Sequence, residues 1–162
     1  MQNSKEIGNR FERNIAKELS LWIFNDPHTL KREPTSGATK NIYVGDIFPM
    51  KQINWGVWPF MIECKYGYTQ FTPTLLNYSI IEKWYLKSFK EAQEKNNGQE
   101  IVLLICNFKN KKGILLCTNT LLNRNIIDYN CILNVKDKKI NHYVYCYDYK
   151  KILKYNFESV FS

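Results

Sequence analysis

Pro59-Phe60-Met61-Ile62-Glu63-Cys64-Lys65-Tyr66 decides how this chain is read. The stretch is apolar and strand-like up to two charges, and strand side chains alternate faces with a period of two. Glu63 and Lys65 therefore share one face, while Ile62 and Cys64 share the other and can pack inward. Upstream, Val44-Gly45-Asp46-Ile47-Phe48 places a second carboxylate on a short β-like run. A strand carrying a carboxylate and an ammonium side by side, with another carboxylate from its neighbour, can hold a divalent cation against a phosphate. The plainer alternative for Glu63 and Lys65 is a solvated strand face with an i,i+2 ion pair.

Working outward, Ser4 to Phe24 reads as a helix. Ile7, Phe11, Ile15, Leu19 and Trp22 fall at helical spacing, Asn3 and Glu6 resemble a capping box, and Asn25-Asp26-Pro27 stops it. A short strand near Thr29 to Arg32 precedes a turn through Pro34 to Gly37, and the strand expected from Ile42 to Phe48 carries Asp46. A loop from Pro49 to Trp58 leads into the strand Phe60 to Lys65. A second helix runs from Asn77 to Lys95, with Ile81, Trp84, Tyr85, Phe89 and Ala92 inward and Lys83, Lys87, Lys90 and Lys95 outward. Ile101 to Cys106 and Gly113 to Thr118 are apolar runs of buried-strand type, joined by a lysine-rich hairpin at Lys109 to Lys112. Beyond Thr118 the pattern weakens to a short helix near Thr120 to Asn125, a strand from Tyr143 to Cys146 and a helix from Asp148 to Lys154. This order implies an α/β fold with a central mixed β-sheet flanked by helices.

The 162 residues suit one domain, with 44% hydrophobic and 15% aromatic residues arguing for a folded globule. The core is expected over about 4–118, with 119–162 as a C-terminal extension packed on it. A balance of 23 basic to 15 acidic residues, net +8, suggests a polyanionic partner. No signal core or membrane span is legible, so a cytoplasmic, intracellular protein with no membrane partner is expected. Five cysteines without a C-x-x-C pair, and only two histidines, read as buried reduced thiols rather than a zinc site. The abundance of Asn, Lys, Ile and Tyr hints at the AT-rich genome of a virus or mobile element.

Gly45-Asp46-Ile47 followed by Ile62-Glu63-Cys64-Lys65 resembles the PD-(D/E)xK nuclease superfamily. More narrowly it resembles the archaeal-type Holliday junction resolvases, which open on a Gly-x-x-Phe-Glu helix, here Gly8 to Glu12, and carry an Arg and a Ser-Gly turn, here Arg32 and Ser36-Gly37. The resemblance covers residues 5 to about 118. It implies a restriction-endonuclease-like α/β sandwich and a Mg²⁺-dependent endonuclease, with Mn²⁺ also supporting activity. Asp46 and Glu63 offer hard oxygen ligands, and the resemblance adds the backbone carbonyl of Cys64. Lys65 can orient the attacking water, and Glu12 can reach the metal directly or through water. Ser36 can hydrogen-bond a phosphate or a metal-bound water. The expected catalytic set is thus Glu12, Ser36, Asp46, Glu63 and Lys65.

The expected DNA contacts are Arg32, Lys31, Lys40, Tyr66, Lys83 and Lys87, with no nucleotide cofactor. Tyr66 and Tyr68 have packing as an alternative to base stacking, and Trp55 and Trp58 have loop anchoring as an alternative to an exposed wedge. His28 and His142 read as structural or surface residues. Missing Gln-x-x-x-Tyr spacing favours an endonuclease over an exonuclease. Branched DNA and a homodimer are expected, the latter from an α-helical surplus of Ile80, Ile81, Trp84, Tyr85 and Phe89 together with Tyr143, Tyr145 and Tyr147. Two alternatives remain open: a restriction-like or general repair nuclease, and a DNA-binding module on the same fold that does not cut.

Overall fold

The computed structural model describes residues 3–33, 43–50, 53, 56–67, 78–95, 98–108, 113–138 and 140–162. Ser36, Gly37, Lys40, Trp55, Tyr68, Asn77, Asn96, Asn97 and the Lys109 to Lys112 hairpin lie outside these residues. Helix α1 spans Ser4–Phe24 as its periodicity predicts; the Asn3 side chain accepts from the Lys5 N–H, and Asn25 ends the helix in the left-handed region. The strands are β1 (Leu30–Arg32), β2 (Ile47–Pro49), β3 (Phe60–Tyr66), β4 (Ile101–Asn107), β5 (Ile114–Thr118), β6 (Cys131–Lys136) and β7 (Asn141–Asp148). Helix α2 is Tyr78–Lys95, and α3 (Tyr149–Ile152) and α4 (Phe157–Val160) are single turns.

All seven strands form one sheet in the order β1-β2-β3-β4-β5-β7-β6. β3 and β4 are parallel, joined across α2, and the other neighbours are antiparallel. The result is the mixed sheet flanked by helices of a restriction-endonuclease-like α/β sandwich. β4 shows why its sequence is apolar throughout: Leu103 and Ile105 join the core under α1, while Val102, Leu104 and Cys106 join the core under α2. Both faces of the strand are covered, so both must be apolar.

Several boundaries differ from the sequence reading. The strand expected from Ile42 to Phe48 begins only at Ile47, so Asp46 sits just ahead of it. Residues 120–125 form no helix; the chain turns at 124–126, where the Asn123 carbonyl accepts from the N–H groups of Ile126 and Ile127. Asn123 also accepts from the Asn125 N–H through its side chain, the competition with helical bonding that asparagine offers. The strand expected from Tyr143 to Cys146 is longer, and β6 and α4 were not anticipated. β7 pairs with β5, so residues past 118 continue the sheet itself. Trp58 is fully buried, stacked on Phe24 and edge-on to Phe60, which removes the exposed-wedge alternative for it.

The cysteines are free thiols, four of them buried. The α2 residues Ile81 and Tyr85 are fully buried, Trp84 stacks on Phe108 and Phe89 on Tyr85. Tyr147 is buried as well. This aromatic surplus is thus used inside the chain, and of that set Tyr143 stands out at 62% exposed. Among the described residues no helix is long and apolar enough to cross a membrane.

Candidate active site

Gly45 begins the site. Its φ of +109° lies in the region that side chains with a Cβ avoid, and a Cβ there would stand 2.6 Å from the Ile62 carbonyl oxygen. Only glycine lets the chain press this closely on β3. The next residue uses that approach: the Asp46 N–H donates to the Ile62 carbonyl at 2.7 Å, and its own carbonyl accepts from the Glu33 N–H at 2.8 Å. The carboxylate follows suit, its Oδ2 accepting from the Cys64 N–H at 2.8 Å. Cys64 is the residue between Glu63 and Lys65. β2 meets β3 at Ile47↔Ile62, and both isoleucines point to the α1 core. By alternation Glu63 and Lys65 share the other face of β3, and Asp46, just ahead of β2, is tied to that strand through the Cys64 N–H.

Gln99 fixes the loop from behind. Its side chain accepts from the Val44 N–H at 2.7 Å and donates to the carbonyls of Val44 at 2.9 Å and Phe60 at 2.7 Å. It is 2% exposed. Sequence reasoning missed Gln99; a lone amide between Gly98 and an apolar strand was its only signal.

The electrostatics follow from this crowding. Burial raises the Asp46 pKa, the negative Glu63 and then Glu12 raise it further, and the Cys64 N–H and Lys65 oppose them; the outcome is about 7, against an ordinary 3.8. Glu12, from α1, is therefore near enough for its charge to be felt. Burial pushes the Cys64 thiol well above its ordinary range, so its sulfur is a packed hydrophobe of the α1 core and not a thiolate ligand.

Two cations answer the flanking carboxylates. Lys65 Nζ pairs with Glu63 Oε1, with the side chains only 19% and 12% exposed. The i,i+2 ion pair is thus present, but in a largely covered pocket and not on a solvated face. Arg32 Nε pairs with Glu12 Oε2, and Arg32 Nη2 donates to Asn9 Oδ1 at 2.7 Å. Asn9 was another residue the sequence did not single out.

Among the described residues, no group of three or more His, Cys, Asp or Glu side chains is arranged to hold a metal ion. Glu63 and Glu12 are each engaged by a cation. Asp46 and Glu63 remain a two-carboxylate, all-oxygen donor set whose repulsion a divalent cation would relieve, which fits Mg²⁺ or Mn²⁺.

The expected DNA contacts are dispersed. Lys31 is exposed on the edge strand beside Arg32, and Lys83 and Lys87 are exposed on α2. Lys87 stands 3.6 Å from Glu91. Tyr66 is 39% exposed and packs its ring on Phe11 with centroids 5.3 Å apart, favouring the packing alternative. His142 serves structure: its Nδ1 lies 2.8 Å from the Tyr85 hydroxyl.

Residues 3–161 match the family described as "Phage putative PDDEXK endonuclease". The match spans the whole fold, including β6, β7 and α4. No curated protein and no solved structure matches the chain.

Proposed function

The chain belongs to this family of phage PD-(D/E)xK endonucleases, and from that premise we propose that it is a Mg²⁺-dependent endodeoxyribonuclease acting preferentially on branched DNA. Membership supports nuclease activity in general and DNA as the partner. The observation that carries the finer reading is the hydrogen bond from the Cys64 N–H to Asp46 Oδ2, which locks the aspartate onto the Glu63-Cys64-Lys65 strand. A surface aspartate has no need of a glycine-only turn and a buried amide clamp to hold it there.

Asp46 and Glu63, with the Cys64 carbonyl, are the residues that would hold the ion. When bound, it would supply charge neutralisation at the scissile phosphate and a more acidic water. The remaining steps belong to the chain. Lys65, released from Glu63, directs its ammonium to the attacking water and to the charge that builds on the phosphate oxygens. Glu12 orients that water or its partner. Arg32, exchanging Glu12 for a phosphate oxygen, positions the strand to be cut. Ser36 hydrogen-bonds the neighbouring phosphate.

A branched substrate needs two cuts, and a homodimer presenting two copies of the site by two-fold symmetry meets that need. The α2 aromatics do not supply the contact. Ile132 and Tyr143, exposed at the β6 side of the sheet, are apolar surface available for it.

The test is incubation of labelled four-way junction, flap, linear duplex and single-stranded DNA with Mg²⁺, with Mn²⁺ and with chelator. Strand scission that requires the cation and favours the junction is expected. Equal cutting of duplex and junction by a protein that sediments as a monomer would leave a plain nuclease in place of a resolvase. DNA binding without scission under every condition would favour the non-cleaving module.

A further inference from the structure

We propose that the cleft between α1 and the edge strand β1 is a second DNA-binding surface, a track for the phosphodiester backbone that leads to the carboxylate cluster. The cleft has a volume of about 420 Å³ and is lined by Arg13, Lys17, His28, Lys31 and Arg32 with apolar residues between them. Among the described residues no acidic side chain lines it.

Arg13 and Lys17 lie one turn apart on the same helical stripe, where like charges repel. Lys31 and Arg32 line the cleft from β1. Among the described residues, Arg13, Lys17 and Lys31 make no ion pair. Three nearby carboxylates already have partners. Glu12 pairs with Arg32 and Glu18 with Lys150. Asp26 caps a turn, accepting from the His28 N–H at 3.1 Å and from Thr29 Oγ1 at 2.7 Å. Three of the four cations around this groove thus stand without an ion pair among the described residues, and the fourth, Arg32, is answered by Glu12 alone. A run of phosphates is the ligand that fits this chemistry, because it offers regularly spaced single charges to long basic side chains without requiring base edges.

Arg32 ties the groove to the site. Its guanidinium lines the cleft and also engages Glu12, whose charge reaches Asp46. A backbone lying along Arg13, Lys17 and Lys31 therefore arrives at Arg32 beside the carboxylates. The inference rests on the nuclease reading only for the identity of the polyanion.

The experiment uses the full chain in chelator and follows the anisotropy of labelled duplex and labelled four-way junction across a salt series. Three proteins are compared: wild type, Arg13→Glu with Lys17→Glu, and a control with Lys136→Glu and Lys138→Glu at the opposite edge of the sheet. The groove variant should bind both DNAs about 10- to 100-fold more weakly, and its plot of log Kd against log salt should flatten by about two or more. The control should lose less than about threefold. Thermal melting of the groove variant should hold, since one like-charge i,i+4 pair replaces another and the new carboxylates face the basic side chains of β1. Were the reversed variant unfolded, Arg13→Ala with Lys17→Ala should give a smaller loss of the same kind. Equal weakening of groove and control variants, unchanged affinity of the groove variant, or no DNA binding by wild type would each overturn the track. A wild type that binds DNA but never cuts it with Mg²⁺ would end the nuclease reading while leaving the groove; one that cuts, with groove-variant affinity intact, would end the groove alone.

Discussion

The two ends of the sheet are built by different means. From β3 onward the strands are long and held by backbone ladders, β3 and β4 pairing from Phe60↔Ile101 to Tyr66↔Asn107 and β6 and β7 from Cys131↔Cys146 to Lys136↔Asn141. β1 and β2 are three residues each, and β2 meets β3 at Ile47↔Ile62. Side chains complete what the ladder leaves: Asp46 takes the Cys64 N–H, and Gln99 holds Val44 and the Phe60 carbonyl. The difference is instructive. Had the β2 ladder continued along β3, a backbone carbonyl would have taken the Cys64 N–H and the carboxylate would have lost its anchor. The site exists where regular pairing stops, so stability and chemistry should be separable by mutation.

The largest expected effect tests that separation directly. Asp46→Ala or Glu63→Ala should lower single-turnover cleavage by about a thousandfold or more. Folding stability should change little, because relief of carboxylate crowding is offset by loss of the Asp46–Cys64 hydrogen bond or of the Glu63–Lys65 ion pair. Leu104→Ala, in the core under α2, should cost about 2–5 kcal/mol in urea melts while leaving the rate per folded molecule intact. An Asp46→Ala protein that cuts at the wild-type rate would mean that the site is misassigned.

Next in size is the pH response of the metal-free protein. The folded-state pKa of Asp46 is raised to about 7 by burial and by Glu63. The stabilisation linked to its proton is complete below about pH 4 and is lost as pH rises through about 7. In chelator, wild type should therefore lose stability relative to Asp46→Asn between about pH 5 and pH 8, by roughly 2–3 kcal/mol. Added Mg²⁺ should raise the melting temperature more at the upper pH, where no proton competes for the carboxylate. Parallel pH profiles for the two proteins would contradict the crowding of Asp46.

Gly45→Ala sharpens the comparison at a single atom. The added Cβ meets the Ile62 carbonyl at 2.6 Å and φ is +109°, so the loop must shift, at about 1–3 kcal/mol. Cleavage should fall about tenfold or more through displacement of Asp46. Gly113→Ala, whose φ is +104° but whose Cβ would meet nothing within 4 Å, should cost stability without that loss of rate. Equal effects on rate at the two glycines would show that backbone strain, not the approach to β3, governs the site.

Much of this was legible in the sequence, and the reason is periodicity. α1 has a single apolar stripe from Ile7 to Trp22, and the fully apolar β4 and β5 have only one use in an α/β sheet. The shared face of Glu63 and Lys65 was legible because strand alternation fixes it, whereas the tie of Asp46 to that strand runs through the Cys64 N–H, which no local pattern marks. What was not legible depends on distant partners. Gln99 works through residues 39 and 55 positions away, and nothing local marks it. β6 alternates buried and exposed residues only once β7 covers it, and Ile132, which a pattern would place inside, is 43% exposed. Asn123 turns the chain by bonding it locally where a helix was expected. The Arg13 to Lys17 groove escaped notice because its two walls are separated in sequence and meet only when β1 folds back along α1.

The smallest expected effect lies on α2, away from both the stitched edge and the apolar ladder. Lys87 was expected among the DNA contacts and forms an exposed i,i+4 pair with Glu91, their side chains 67% and 43% exposed. Exposed pairs of this type contribute only about 0.3–0.5 kcal/mol, and salt screens them. Lys87→Ala should therefore shift the urea midpoint barely beyond measurement error. Its part in DNA binding is a single phosphate contact, so the salt slope should change by about one or less, well below the change expected for Arg13 with Lys17. Should Lys87→Ala instead weaken DNA binding as much as the groove variant, the backbone must cross α2 rather than follow the β1 edge, and the contrast between the two ends of the sheet would have to be redrawn around the helix.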